Sequence, residues 1–155
     1  MSGIFGVVSK DNINDDLFFG TDYHSHLGTE FGGVAYLNGE QRPDKKIHDI
    51  STSQFKSKFH SLPHEINSNA GIGVISDKYE QPLIFETKFG IFALVTSGLV
   101  LNTEKLAKKL IENGKTFSEV SKGEINTVEL IAKLINLSND IPSGIDNMFD
   151  IISGS

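Results

Sequence analysis

Hydrophobic and polar positions along the chain change period near residue 100. Residues 3–9, Gly-Ile-Phe-Gly-Val-Val-Ser, are apolar and β-branched, which predicts a short strand starting almost at the amino terminus. The polar run Asn12 to Asp16 caps a helix carrying Leu17, Phe18, Tyr23 and Leu27 and ending at Gly28. Phe31 to Leu37 alternates as a second strand. The Asn38-Gly39 pair turns it toward a partner at Ile47 to Ile50. Phe55, Phe59 and Leu62 fall at helical spacing over Ser53 to Leu62, with Pro63 as the stop. Ala70 to Ser76 predicts another strand, followed by a loop at Gln81-Pro82 and a hairpin of Leu83 to Glu86 with Gly90 to Thr96. The period then becomes helical. Helices are predicted over Thr103 to Glu112, Thr127 to Leu137 and Ile145 to Ile152. Strands, a helix, more strands and then helices give an α+β class with mostly antiparallel pairing.

Composition narrows the function classes. A chain of 155 residues with net charge −6 is expected to be one domain, and that charge argues against nucleic acid or an anionic membrane as partner. It has no cysteine, so it offers no disulfide, no thiolate metal site and no cysteine nucleophile. With no apolar run of spanning length, a cytoplasmic location is expected. His24 and His26 lie two apart but near a predicted helix end, where such residues diverge, and His48, His60 and His64 make no ligand spacing. Neither a metal nor a cofactor is implied. Gly71-Ile-Gly73 lacks the spacing of a nucleotide-binding loop and reads as close backbone approach in a strand.

The sharpest chemical feature is Ser2. If Met1 is removed, Ser2 carries a hydroxyl nucleophile and a free α-amine able to serve as its own general base. A strand beginning at Gly3 would set the amino terminus itself inside the protein.

Several stretches in order resemble the class II (N-terminal-nucleophile) glutamine amidotransferases, most closely the glutaminase domain of the amidophosphoribosyltransferases. The opening Ser2-Gly-Ile-Phe-Gly resembles their nucleophile followed by Gly-Ile/Val-Phe-Gly. His26-Leu-Gly28-Thr-Glu30 resembles His-Arg-Gly-Gln-Glu, and Gly71-Ile-Gly73 resembles their Gly-Ile-Gly. Gln81-Pro82 falls on their Gln-Pro, and Ala93-Leu-Val-Thr-Ser-Gly98 on Ala-Leu-Ala-His-Asn-Gly. Ile125-Asn126-Thr127-Val128-Glu129-Leu130 resembles Ser-Asp-Ser/Thr-Glu-Val-Leu, and the run from Phe149 to Ser155 resembles the approach to a Gly-Ala-Tyr-Ser strand. The resemblance implies an N-terminal-nucleophile hydrolase fold of four αββα layers. It implies a glutamine amidotransferase type-2-like domain over residues 1–155, incomplete at its carboxyl end, and a place in purine biosynthesis.

The departures fall on the chemistry. The resemblance puts the nucleophile at Ser2 instead of Cys, and puts Leu27 where the family has Arg near the nucleophile. Ser97 and Gly98 fall on the oxyanion-hole positions, with Ser97 replacing Asn. Ser76 replaces the Arg that holds the glutamine carboxylate, and Asn126 the Asp that holds its amine. A serine alkoxide is harder to reach than a thiolate. Losing one oxyanion donor costs about 10²–10³ in rate, and losing the Arg removes a bidentate charge-assisted contact. The reading is a glutaminase-like domain with little or no glutaminase activity, a pseudoenzyme in a binding or regulatory role or part of a longer amidotransferase-like protein. The alternative is an N-terminal serine amidohydrolase using Ser2 on an amide other than glutamine. The partners that follow are a small-molecule amide or amino acid, and a downstream transferase domain or self-association.

Overall fold

The computed structural model describes residues 2–121 and 123–154. Met1, on which processing of the amino terminus depends, and Ser155 lie outside the described residues. The chain forms two compact units. One comprises the chain up to Phe85 with Ile91–Ser97, the other Glu86–Gly90 with the chain from Gly98 on.

The first unit begins with β1 (Gly3–Val8) and α1 (Asn14–Asp22), followed by β2 (Phe31–Leu37) and β3 (Pro43–Asp49). Two single-turn helices, α2 (Phe55–Lys58) and α3 (Leu62–Glu65), lead to β4 (Ala70–Ser76). β5 (Leu83–Thr87) and β6 (Gly90–Leu94) form a two-stranded sheet whose tip belongs to the other unit. The main sheet has the order β1-β4-β2-β3 and is antiparallel throughout. Its register pairs Gly3 with Ile75, Gly6 with Ile72 and Val34 with Gly73.

One face of this sheet carries the core. Ile13, Leu17 and Phe18 of the α1 region meet Phe55, Phe59, Leu62 and Ile66 over Val34 and Ile75. Phe55 and Phe59 stack with ring centroids 4.2 Å apart. Glycines on the sheet let the helix and loop backbones approach. A Cβ on Gly73 would lie 1.8 Å from the Thr21 hydroxyl oxygen, and one on Gly33, on the other face, 1.9 Å from the Gln81 carbonyl oxygen.

Most predicted elements are found, with shifted ends. α1 stops at Asp22, short of the predicted Gly28, because the chain tightens there into i→i−3 turns: His24 N–H bonds to Thr21 and Leu27 N–H to His24. The helix expected over Ser53 to Leu62 is two short pieces. Pro63 does not close it but sits in the first turn of α3, where its missing N–H has no helical partner to lose. β3 is longer than predicted and starts at Pro43, with the Asn38 side chain accepting the amides of Glu40 and Arg42 across the turn.

The second unit holds α4 (Thr103–Glu112), the two-residue strands β7 (Val120–Ser121) and β8 (Glu124–Ile125), α5 (Thr127–Ile135) and α6 (Ile141–Ile151). α5 is its spine, buried along Val128, Leu130, Ile131, Leu134 and Ile135. Gly144 lets α6 pack on it, since a Cβ there would lie 2.5 Å from the Ile135 carbonyl oxygen. α6 starts four residues before its predicted start at Ile145, because Asp140 caps it by accepting the Ser143 amide and Pro142 fits its first turn. Glu129 is 2% exposed on α5. Burial opposes its ionisation, but the Glu119 and Ser118 amides and the Lys133 ammonium outweigh that and hold its carboxyl below the usual carboxylate range.

Two outcomes follow. Gly33→Ala should destabilise the protein by about 1–3 kcal/mol or more, since the obstacle is backbone. Gly6→Ala, whose Cβ would meet nothing nearer than Ile72 at 3.8 Å, should change stability by less than about 0.5 kcal/mol; urea denaturation of both variants checks this. Because the folded carboxyl of Glu129 titrates below its unfolded value, its contribution is complete above the ordinary carboxylate range and is lost as pH falls through the folded value. Glu129→Gln should therefore cost about 1–3 kcal/mol near neutrality, and the gap to wild type should narrow on acidification, as read from urea midpoints across that range.

Candidate functional site

Ser2 immediately precedes β1 and is half-buried. The pairing of Gly3 with Ile75 places it beside Ser76, the last residue of β4. Ser76 also faces Phe31 at the start of β2. The turn after α1 arrives at the same sheet end: a Cβ on Gly28 would lie 3.0 Å from the Ser76 amide nitrogen, so Leu27, half-buried, is held next to that strand end. Ser97 completes the group, its hydroxyl donating to the Ser2 carbonyl at 3.0 Å. Four of the residues singled out in the sequence, Ser2, Leu27, Ser76 and Ser97, thus gather at one end of the first unit's sheet.

Gln81 organises this end, and sequence reading gave it no role beyond a loop. It is 2% exposed. Its side-chain amide donates to the Thr96 carbonyl at 3.0 Å and to the Ser76 hydroxyl at 3.2 Å, while its oxygen accepts the Thr96 amide at 2.8 Å. The segment that carries Ser97 is therefore tied to the end of β4 through one buried side chain. The Gln81–Pro82 peptide is cis. The signal available in the sequence was the Gln81-Pro82 pair, which falls on a Gln-Pro of the family the chain resembles.

The polar groups of Ser76, Ser97 and Asn126 are engaged within the fold. The Ser76 hydroxyl is 2% exposed as a residue and takes the Gln81 donor, with the Lys78 and Tyr79 amides at 3.4 Å. The Ser97 hydroxyl is spent on the Ser2 carbonyl. In the second unit Asn126, 4% exposed, caps α5 by accepting the Val128 amide at 2.9 Å. Gly98 is exposed and has a φ of 139°, a backbone conformation that side chains other than glycine's resist.

His24 and His26 lie in the turns after α1, where His26 bonds to the Tyr23 carbonyl and His24 covers Gly3. Among the described residues no group of three His, Cys, Asp or Glu side chains could hold a metal ion. No described helix is long and apolar enough to cross a membrane.

No family model matches the chain. Curated relatives do. The amidophosphoribosyltransferase of Methanocaldococcus jannaschii is 25% identical over 150 residues, covering 91% of this chain and 31% of the relative. That of Pseudomonas aeruginosa is 21% identical over 161 residues, covering 99% of this chain and 31% of the relative. The chain thus spans about a third of the length of the curated relatives it matches. Among solved structures, the glutamine phosphoribosylpyrophosphate amidotransferase of B. subtilis, complexed with ADP and GMP, superposes with a TM-score of 0.80 at 20% identity, over 99% of this chain and 33% of that one. A structure described as the allosteric regulatory enzyme of purine biosynthesis gives 0.78 at 21% identity, over 100% and 34%. The chain is similar in sequence to amidophosphoribosyltransferases and has the α+β fold of the matching part of glutamine phosphoribosylpyrophosphate amidotransferase.

Proposed function

We propose that this chain is an amidophosphoribosyltransferase-like glutamine amidotransferase domain that has given up efficient glutaminase activity and acts as a binding or regulatory module. The observation that carries this reading is where the substituted side chains spend their hydrogen bonds. Ser76 lies where the resemblance puts a carboxylate-binding Arg, and its hydroxyl is buried against Gln81. Ser97 lies where an oxyanion donor belongs, and its hydroxyl holds the Ser2 carbonyl. Asn126 lies where an amine-binding carboxylate belongs, and its oxygen caps a helix. Each change removes a charge or a donor from the substrate and returns the replacement to the scaffold. Loss of the bidentate Arg contact and of an oxyanion donor both act against turnover.

The second reading, an N-terminal serine amidohydrolase on another amide, draws support from the position of Ser2. Its carbonyl is anchored and its strand is paired on one side, which holds the residue in place for chemistry. It requires loss of Met1, because only then does Ser2 carry the free α-amine that serves as base.

Glutamate release from glutamine tests both, using protein whose intact mass establishes the state of Met1. The expected result is turnover no higher than that of Ser2→Ala, with glutamine binding weaker than millimolar in calorimetry. Turnover that Ser2→Ala abolishes would overturn the first reading. Retention of Met1 would remove the second.

A further inference from the structure

The turn between β2 and β3 holds a reactive pair that the glutaminase-like reading leaves unused. Asn38-Gly39 is one of two Asn-Gly pairs in the chain; the other, Asn113-Gly114, follows α4. In such a pair the glycine backbone nitrogen can attack the asparagine side-chain amide carbon, because glycine has no Cβ to crowd the approach. The fold gives the two pairs opposite surroundings.

At Asn38 the oxygen that would gain charge is held and the reacting nitrogens are open. Asn38 Oδ1 accepts the Glu40 amide at 3.0 Å and the Arg42 amide at 3.1 Å. Two fixed backbone donors at these distances form an oxyanion hole for the oxygen that becomes negative when Cγ turns tetrahedral. The turn that fixes them is closed by the Asn38 amide on the Arg42 carbonyl at 2.9 Å and the Gln41 amide on the Asn38 carbonyl at 2.8 Å. Gly39 is exposed, and a Cβ on it would meet nothing within 4 Å. Among the described residues its N–H has no hydrogen-bond partner, nor has Asn38 Nδ2, the leaving group.

At Asn113 the same groups are locked. Nδ2 donates to the Lys109 carbonyl at 2.7 Å. The Gly114 N–H, the group that would attack, is bonded to the Ile111 carbonyl at 2.9 Å. Among the described residues no donor reaches Asn113 Oδ1. Attack there would have to undo the last turn of α4 first.

We propose that Asn38 is a self-modification site, at which the folded turn drives loss of the side-chain amide with water as the only co-reactant. Hydroxide takes the Gly39 amide proton, and the nitrogen lone pair forms a bond to Asn38 Cγ. The Cγ–Nδ2 bond breaks, and Nδ2 takes a proton from water and leaves as ammonia, closing a five-membered imide. A second water opens the imide at one of its two carbonyls and leaves aspartate or isoaspartate at position 38. The net change is one water consumed and one ammonia released, with no oxidation or reduction. The product places a carboxylate in the small polar pocket that Asn38 shares with Lys10, Asn12, Asn67 and Asn69. Isoaspartate also inserts a methylene into the main chain between β2 and β3.

The test holds the full chain at mildly alkaline pH, folded and in guanidinium, and follows both Asn-Gly pairs by peptide mass spectrometry, which reads the gain of one mass unit. In the folded protein Asn38 should convert about tenfold or more faster than Asn113. In guanidinium the donors on Asn38 and the locks on Asn113 both vanish, so Asn38 should slow, Asn113 should speed up, and the two rates should converge. Gly39→Ala, whose Cβ enters open space, should slow conversion at Asn38 about tenfold or more by crowding the attacking nitrogen; an unchanged melting temperature checks that it folds. Equal rates at the two pairs in the folded protein would overturn the proposal. So would conversion of Asn38 that is faster in guanidinium than in the fold, or that Gly39→Ala leaves unchanged.

Discussion

The buried amide of Gln81 is the constraint on which the first unit depends. At 2% exposure it has no water to fall back on, so each of its polar atoms must find a partner in the protein. Its nitrogen has two donors and finds two acceptors, the Thr96 carbonyl and the Ser76 hydroxyl, and its oxygen takes the Thr96 amide. Its own carbonyl oxygen rests against β2 where Gly33 has no side chain. One residue thereby fixes the ends of β4 and of the segment after β6, and sets their distance from β2. The Ser97 turn cannot shift without breaking these bonds, and Ser97 in turn holds Ser2.

This arrangement fixes the shape of the site end largely through backbone groups and one buried amide. The scaffold of the site end is made by backbone groups, glycines and the Gln81 side chain, none of which needs the catalytic groups to be present. A serine at position 76 is short enough to stay inside and be satisfied there. A long cation at the same position would have to leave the Gln81 contact and reach outward. Asn126 serves equally well as a helix cap as an aspartate would, because both offer a side-chain oxygen to the amide two residues on. Serine at position 76 and asparagine at position 126 therefore fit the fold at little cost.

The sequence made the long periodic elements legible. β2, β4 and α4 lie where the pattern puts them, because each is a half-buried strand or an amphipathic helix whose period is set by burial. The two-residue strands β7 and β8 were not foreseen, since two residues carry no period. The break between α2 and α3 was hidden because Phe55, Phe59 and Leu62 keep helical spacing across it; all three enter one core whichever way the backbone joins them. At the site the sequence identified Ser2, Leu27, Ser76 and Ser97, and the register of β1 on β4 gathers them. Gln81 escaped because its role is set by Thr96, fifteen residues on, and only the tertiary fold brings the two together. Glu129 left a fainter mark, a lone acid among Val128, Leu130 and Ile131, which signals a buried carboxylate with dedicated donors.

The disparity between 20% identity and a TM-score of 0.80 to one solved structure follows from the same physics. Positions where a Cβ would strike backbone, such as Gly33 against Gln81 and Gly28 against Ser76, admit almost no other residue. One of them, Gly28 in His26-Leu-Gly28, also carries the resemblance in sequence. Apolar positions need only volume and the right face, so their identities drift while the layers stay packed. Polar positions at the site end are bound by neither rule. In this chain glycines stand where a Cβ would strike backbone, and a buried amide holds two strand ends together.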